Sequence, residues 1–198
     1  PHQHWVDISN DNSGVTWCSP DAALIESGSI TANNTAGWDG KGDIWPSKLQ
    51  RNSLIYSWVM NNHWYTNTPQ TQDGPVTFRY MIKPHGAYEA AEANRFGLEQ
   101  IQPLVHVLCD KNPMEKPLLS VDNSRLSVNI LKSSENGSSM IVRVRSLSSA
   151  NEMLNLKWPY IKPSKVFLCD KGEEAGSTEV SGGVAVPANG FVTIKVLW

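Results

Sequence analysis

Five aspartates that could supply acid–base chemistry stand in the first part of the chain: Asp7, Asp21, Asp39, Asp43 and Asp73. Two carboxyl groups held about 5 Å apart, or about 6.5 to 9.5 Å apart, can cleave a glycosidic bond lying between them. Each of these aspartates lies close to Gly, Pro, Ser or Asn, where a short acidic side chain usually serves its own turn. No catalytic pair is therefore expected among them. His2-Gln3-His4 would set two imidazoles on one side of a strand. Zinc takes three or four ligands, and nothing nearby in sequence supplies the rest, so no metal is expected there. His63, His85 and His106 have no Cys, Asp or Glu at ligand spacing. No phosphate-binding loop, dinucleotide fingerprint or Gly-x-Ser-x-Gly elbow is present.

The stretch Asn61-Asn62-His63-Trp64-Tyr65-Thr66-Asn67 is the best candidate for touching a ligand. Amides both donate to and accept from sugar hydroxyls, and an aromatic face suits the C–H face of a sugar ring. Asn62, Trp64 and Asn67 are the candidate carbohydrate contacts. The competing interpretation is that Asn62 and Asn67 satisfy loop backbone while Trp64 caps the core.

Two strands must position that stretch. Leu54 to Met60 is a nearly continuous apolar run, the pattern of a strand buried on both faces. In Val76 to Ile82, residues Val76, Phe78, Tyr80 and Ile82 alternate with Thr77, Arg79 and Lys83, the pattern of a half-buried strand. The connection between them, Asn61 to Pro75, exceeds the roughly 2 to 5 residues of a plain hairpin turn. Long loops on a rigid sheet are where function tends to sit.

Further strands are expected over His4 to Ser9, Val15 to Ser19, Ala22 to Glu26 and Leu104 to Cys109. Gly28 to Arg51 reads as a long loop anchored by Trp38, Ile44 and Trp45. Ala87 to Gln102 is the one expected helix, rich in helix formers and stopped by Pro103. Asp110 to Pro117, with two prolines and mixed charge, reads as a linker. It separates an expected domain over 1–110 from another over 118–198. The second reads as a meander of short strands. Leu126, Val128 and Ile130 share a face, Glu135-Asn136-Gly137 turns the chain, and Met140, Val142 and Val144 face inward with Arg143 and Arg145 outward. Met153 to Trp158, Lys165 to Cys169 and Phe191 to Leu197 follow, with Val192, Ile194, Val196 and Trp198 on one face. Strands at this spacing, separated by Gly, Pro and Ser, indicate a β-sandwich.

Composition narrows the partners. The net charge is −2 with 18% charged residues and no run of Lys or Arg, so neither nucleic acid nor an anionic membrane surface has an electrostatic footprint. No apolar segment approaches the roughly 20 residues of a membrane-spanning helix. Eight tryptophans fit a sugar-stacking surface and a β-sandwich core equally well. Cys18, Cys109 and Cys169 are too few and too irregular for a disulfide framework, read as inert core thiols, and leave the compartment open. Asn33-Asn34-Thr35 and Asn136-Gly137-Ser138 match the short glycosylation pattern. Pro1 in first position, with no initiator Met and no leader pattern, reads as part of a longer protein.

The block from Met60 to Gly86, with Trp5 to Gly28 upstream, resembles the C-terminal β-region of glycoside hydrolase family 38, the α-mannosidases. Gln72, Gly74, Pro75, Phe78, Arg79, Tyr80, Pro84 and His85 carry the likeness. The resemblance implies an all-β fold: the latter part of a galactose-mutarotase-like β-supersandwich over 1–110, then a smaller β-sandwich, with one short helix. It also implies that the retaining, zinc-dependent hydrolysis of α-mannosides belongs to an N-terminal catalytic β/α domain, of which nothing is seen here. On that basis the chain needs no cofactor of its own and is inactive alone. Its partners would be that catalytic domain and mannose-type glycans, and its role to complete the fold and help wall the substrate groove. A free-standing carbohydrate-binding module and an assembly domain are the alternatives.

Overall fold

The computed structural model describes residues 2–28, 30, 52–60, 69, 71–102, 104–110 and 116–198, apart from the side chains of Ala175 and Ser177. The expected loop over Gly28 to Arg51 and most of the expected linker lie outside the described residues. The architecture is predominantly antiparallel β-sheet with one short helix among the described residues, a sandwich-type arrangement. The chain divides into two compact units, Pro1–Leu104 and Val105–Trp198.

In the first unit, β1 (Val6–Ser9), β2 (Gly14–Cys18), β3 (Leu24–Ser27), β4 (Ile55–Trp58), β5 (Met81–His85) and α1 (Ala90–Ile101) follow in order. β2 is the centre of an antiparallel sheet ordered β1-β2-β5, while β3 pairs with β4 alone. The β1–β2 hairpin turns at Asn10, whose side-chain oxygen accepts from the backbone N–H groups of Asn12 and Ser13. The helix forms where its Ala, Glu and Gln content calls for it, three residues later than expected at its start.

Its buried positions Ala93, Asn94 and Gly97 turn one face toward the sheet. Gly97 is required there, because a Cβ at that position would lie 2.6 Å from Trp5 Cδ1. The Cys18 thiol reaches the Gly97 carbonyl at 4.0 Å, so the helix covers the sheet face carrying Thr16 and Cys18.

That choice of face overturns two expectations. The strand read over Val76 to Ile82 begins only at Met81, and its inward residues are Met81, Lys83 and His85. Ile82 points the other way and is 62% exposed. Lys83 is accommodated beneath the helix edge because its ammonium reaches Glu92 in the first helical turn at 3.1 Å. The run Leu54 to Met60 is not a strand buried on both faces either. It shortens to β4, has one strand neighbour among the described residues, and leaves Leu54, Val59 and Met60 exposed.

Leu104 to Cys109 forms no strand. No described strand lies alongside to pair its backbone, and Leu104, Val105, Val107 and Leu108 are 86%, 87%, 74% and 102% exposed. Cys109 is consequently exposed, and Cys169 is only half-buried. Of the three expected core thiols, Cys18 alone is fully buried, and that burial raises its pKa.

In the second unit the elements are β6 (Ser120–Val121), β7 (Leu126–Ser133), β8 (Met140–Ser146), β9 (Glu152–Leu154), β10 (Leu156–Lys157), β11 (Lys165–Cys169), β12 (Ala175–Glu179), β13 (Val184–Val186) and β14 (Phe191–Leu197). Five of them make one antiparallel sheet, ordered β12-β11-β14-β8-β7, and the pairs β13-β9 and β10-β6 complete the unit. Val142 and Val144 of β8 and Ile194 and Val196 of β14 meet Leu154 of β9 and Val184 and Val186 of β13 in one core. The alternation read in β8 and β14 places these side chains as expected.

Ile130 does not share the inner face with Val128. A bulge at Asn129 pairs Ile130 with Arg143, across from the outer face, and returns Leu131 opposite Val142. Arg143, read as simply outward, is half-buried. It donates to Thr193 Oγ1 at 3.0 Å and to the Lys171 carbonyl at 3.2 Å, with its guanidinium 5.4 Å from the Phe191 ring centre.

Candidate functional site

Three residues behind the family likeness, Arg79, Tyr80 and His85, take part in side-chain ties within the first unit. Asp7 and Thr16 are register partners on the helix-covered face of the sheet, and Lys83 stands across from Thr16 on its other side. His85, two residues beyond, crosses diagonally to Asp7. Asp7 Oδ2 accepts from Thr16 Oγ1 at 2.6 Å and from His85 Nε2 at 2.7 Å. The other ring nitrogen, Nδ1, lies 3.0 Å from the Gly86 carbonyl oxygen. Both nitrogens thus face acceptors, and only the imidazolium donates to both.

Burial opposes that charge, but the hydrogen bonds to Asp7 and Gly86 and the Asp7 charge outweigh it, and the His85 pKa is raised. The Asp7 carboxylate also adds to the main effect of burial in raising the Tyr88 phenol.

This arrangement holds strands together and has no free base. A nucleophile–base–acid relay needs His between the hydroxyl and the carboxylate, whereas here Asp7 stands between Thr16 and His85. Thr16 is only 1% exposed, out of reach of a substrate. The linkage predicts a pH effect. A folded-state histidine pKa above the ordinary value of about 6.5 stabilises fully below about pH 6.5 and fades as pH rises through the folded value. Urea unfolding is therefore expected to show the first unit losing stability as pH rises above about 6.5, with His85→Gln flattening the change. Equal pH slopes for the two proteins would refute the coupling.

Asp21 and Arg79 form a second tie. Arg79 Nε donates to Asp21 Oδ2 at 2.9 Å, Nη2 to Oδ1 at 2.8 Å, and the Arg79 backbone N–H to Oδ2 at 2.8 Å. The side-chain hydrogen bonds, then the backbone one, lower the Asp21 pKa to about 2. Next to it, Tyr80 stacks on Trp17 with ring centres 5.6 Å apart, and its hydroxyl reaches Ser57 Oγ at 3.1 Å. Asp7 and Asp21, expected to serve their own turns, instead bind partners 78 and 58 residues away. No local signal in the sequence marks either pair.

His2 and His4 precede β1, so they do not align on a strand. His2 Nε2 lies 3.0 Å from the Ala22 carbonyl oxygen, and its ring meets Trp17 edge-on at 5.2 Å. Among the described residues no group of three or more His, Cys, Asp or Glu is placed to hold a metal ion. Asn136 is taken up by its turn, its side-chain oxygen accepting from Ser134 Oγ, Ser138 N and Ser138 Oγ. The candidate contacts Asn62, Trp64 and Asn67 lie outside the described residues, as do His63, Asp39, Asp43 and the Asn33-Asn34-Thr35 pattern.

The chain matches no protein-family model and no curated protein. Solved structures do resemble it. An α-mannosidase from Enterococcus faecalis V583 aligns with a TM-score of 0.57 at 14% identity, over 98% of this chain and 21% of that one. A protein in glycosyl hydrolase family 38 from Enterococcus faecalis aligns with a TM-score of 0.56 at 13% identity, over 98% of this chain and 22% of that one. At such identity the likeness is one of fold. The chain spans about a fifth of the length of either structure.

Proposed function

We propose that this chain is an accessory β-region of a larger glycosidase of the α-mannosidase kind, completing that enzyme's fold and helping to wall its substrate groove. The observation that carries the reading is the extent of the fold likeness: 98% of the chain aligns with about a fifth of an α-mannosidase. Mannose-type glycans would then be the substrate of the whole protein, met on this chain's side by Asn62, Trp64 and Asn67. The described residues do not fit a zinc site, since His2 and His85 are already tied to Ala22 and Asp7. On this reading the zinc of the parent enzyme belongs to its N-terminal catalytic domain. Turnover of an aryl α-mannoside by the 198-residue chain itself, abolished by chelation, would overturn the reading.

The first unit's surface supports it. The sheet face away from α1 carries Val6, Ile8, Val15, Trp17 and Ile82 in register, yet Val15 is 38% and Ile82 62% exposed. The run Leu104 to Cys109, which crosses from the last residue of the first unit into the second, is likewise apolar and open to solvent. Soluble proteins seldom leave such surfaces bare, and further β-structure of the same protein is the natural cover. Cys109 provides the test. In the 198-residue chain it should alkylate as an exposed thiol, and in the longer protein at least about tenfold more slowly, because a buried thiol is inert. Equal rates in the two would mean that nothing covers this segment.

A further inference from the structure

We propose that a groove in the second unit is a binding site for a neutral oligosaccharide. The groove has a volume of about 750 Å³, within the range of small-molecule sites. One wall is β9–β10 and the connection that leads from Trp158 into β11. The other is the connection between β12 and β13, through Ser181, Gly182 and Gly183. Leu154, Val166 and Val184 give it an apolar floor that belongs to the core or packs against it.

Its polar groups are few and suited to hydroxyls. Asn155 can donate and accept from one amide, Ser181 adds a hydroxyl, and Lys162 adds an exposed ammonium. Lys157 is committed to Asp122 at 2.5 Å. Among the described residues no Asp or Glu lines the groove. Gly183 keeps the Asn155 side chain close against the strand, since a Cβ there would lie 2.9 Å from Asn155 Oδ1 and 2.7 Å from Met153 Sδ. At Gly182, by contrast, a Cβ would meet nothing within 4 Å.

Trp158 is the one aromatic residue among the described residues of the lining. It is half-buried against the core, and its ring meets Trp198 edge-on, 5.6 Å between centres and 89° between planes. A tryptophan fixed by the core and by a neighbouring ring is a preformed surface for the C–H face of a pyranose. Proline-rich peptides dock in grooves lined by several aromatic residues, which this groove lacks. A single stacking ring amid mixed donors and acceptors matches one sugar ring with its hydroxyls.

Affinity electrophoresis of the 198-residue chain tests the site, in native gels cast with soluble α-mannan, dextran, xylan or heparin. Retardation by at least one neutral polysaccharide is expected. It should weaken about tenfold in apparent affinity, a difference of about 1.4 kcal/mol, in Asn155→Ala or in Trp158→Ala. Thermal melts establish which variants are folded. Asn155 is exposed, so its variant keeps the test decisive if loss of Trp158 disturbs the core. No retardation in any neutral gel, or retardation undiminished in every folded variant, overturns the proposal. So does retardation by heparin alone that disappears with added salt, the mark of charge without recognition. The proposal does not depend on the α-mannosidase reading, and the Cys109 experiment leaves it untouched.

Discussion

Truncating Leu154 to alanine is expected to cost the second unit about 2 to 5 kcal/mol, the range for a large-to-small change in a packed core. Leu154 is 1% exposed and stands on β9, where it meets Val142, Val144, Ile194 and Val196 of the five-stranded sheet. β9 has only three residues, and its strand partner β13 also has three. With so little backbone pairing, this side of the sandwich depends on its apolar contacts, and the cavity left by Leu154 has few ways to close. The neighbouring Met153 is 52% exposed, so Met153→Ala should stay within about 0.5 kcal/mol. Amide exchange of β14 in denaturant would report both changes from within the core. A Leu154→Ala effect no larger than that of Met153→Ala would mean that β9 and β13 are not the sandwich's second layer.

The second large effect concerns Trp64. On the proposed reading, Trp64→Ala in the longer enzyme lowers kcat/KM for an α-mannoside about tenfold, equivalent to about 1.4 kcal/mol of transition-state stabilisation. The melting temperature stays nearly unchanged. A core-capping Trp64 behaves in the opposite way, losing about 3 to 5 kcal/mol of stability as buried aromatic truncations do. Pairing a melt with steady-state kinetics at low temperature separates the two. A strongly lowered melt with normal kinetics would remove Trp64, and with it Asn62 and Asn67, from the substrate groove.

Which parts of this fold could be read from the residues follows from where the deciding forces act. α1 was legible because helix propensity and the Pro103 stop are local properties of the chain. β8 and β14 were legible because alternation survives when one face of a strand is buried. β12 was not, since Gly, Glu and Ser dominate from Gly172 to Gly183, nor was β13, which has only three residues; their pairing is imposed by β11 and β9. The inward face of β5 was misread because a helix that follows it in the chain decides which face is covered. The polar ties were illegible for a similar reason. Asp7 finds His85, and Asp21 finds Arg79, only once β1, β2 and β5 are assembled. The groove at Trp158 left a faint trace, a tryptophan and two prolines within Trp158 to Pro163 followed later by Gly182-Gly183.

The close approach of Gly97 to Trp5 makes these two positions a single unit of inheritance. Neither can change freely by itself: a side chain at 97 strikes the indole, and a smaller residue at 5 leaves the helix over a void. Any lineage that enlarges 97 must first, or at once, shrink 5. The helix can therefore drift along its exposed face while this point of its buried face is inherited only as a pair, across 91 residues of intervening sequence.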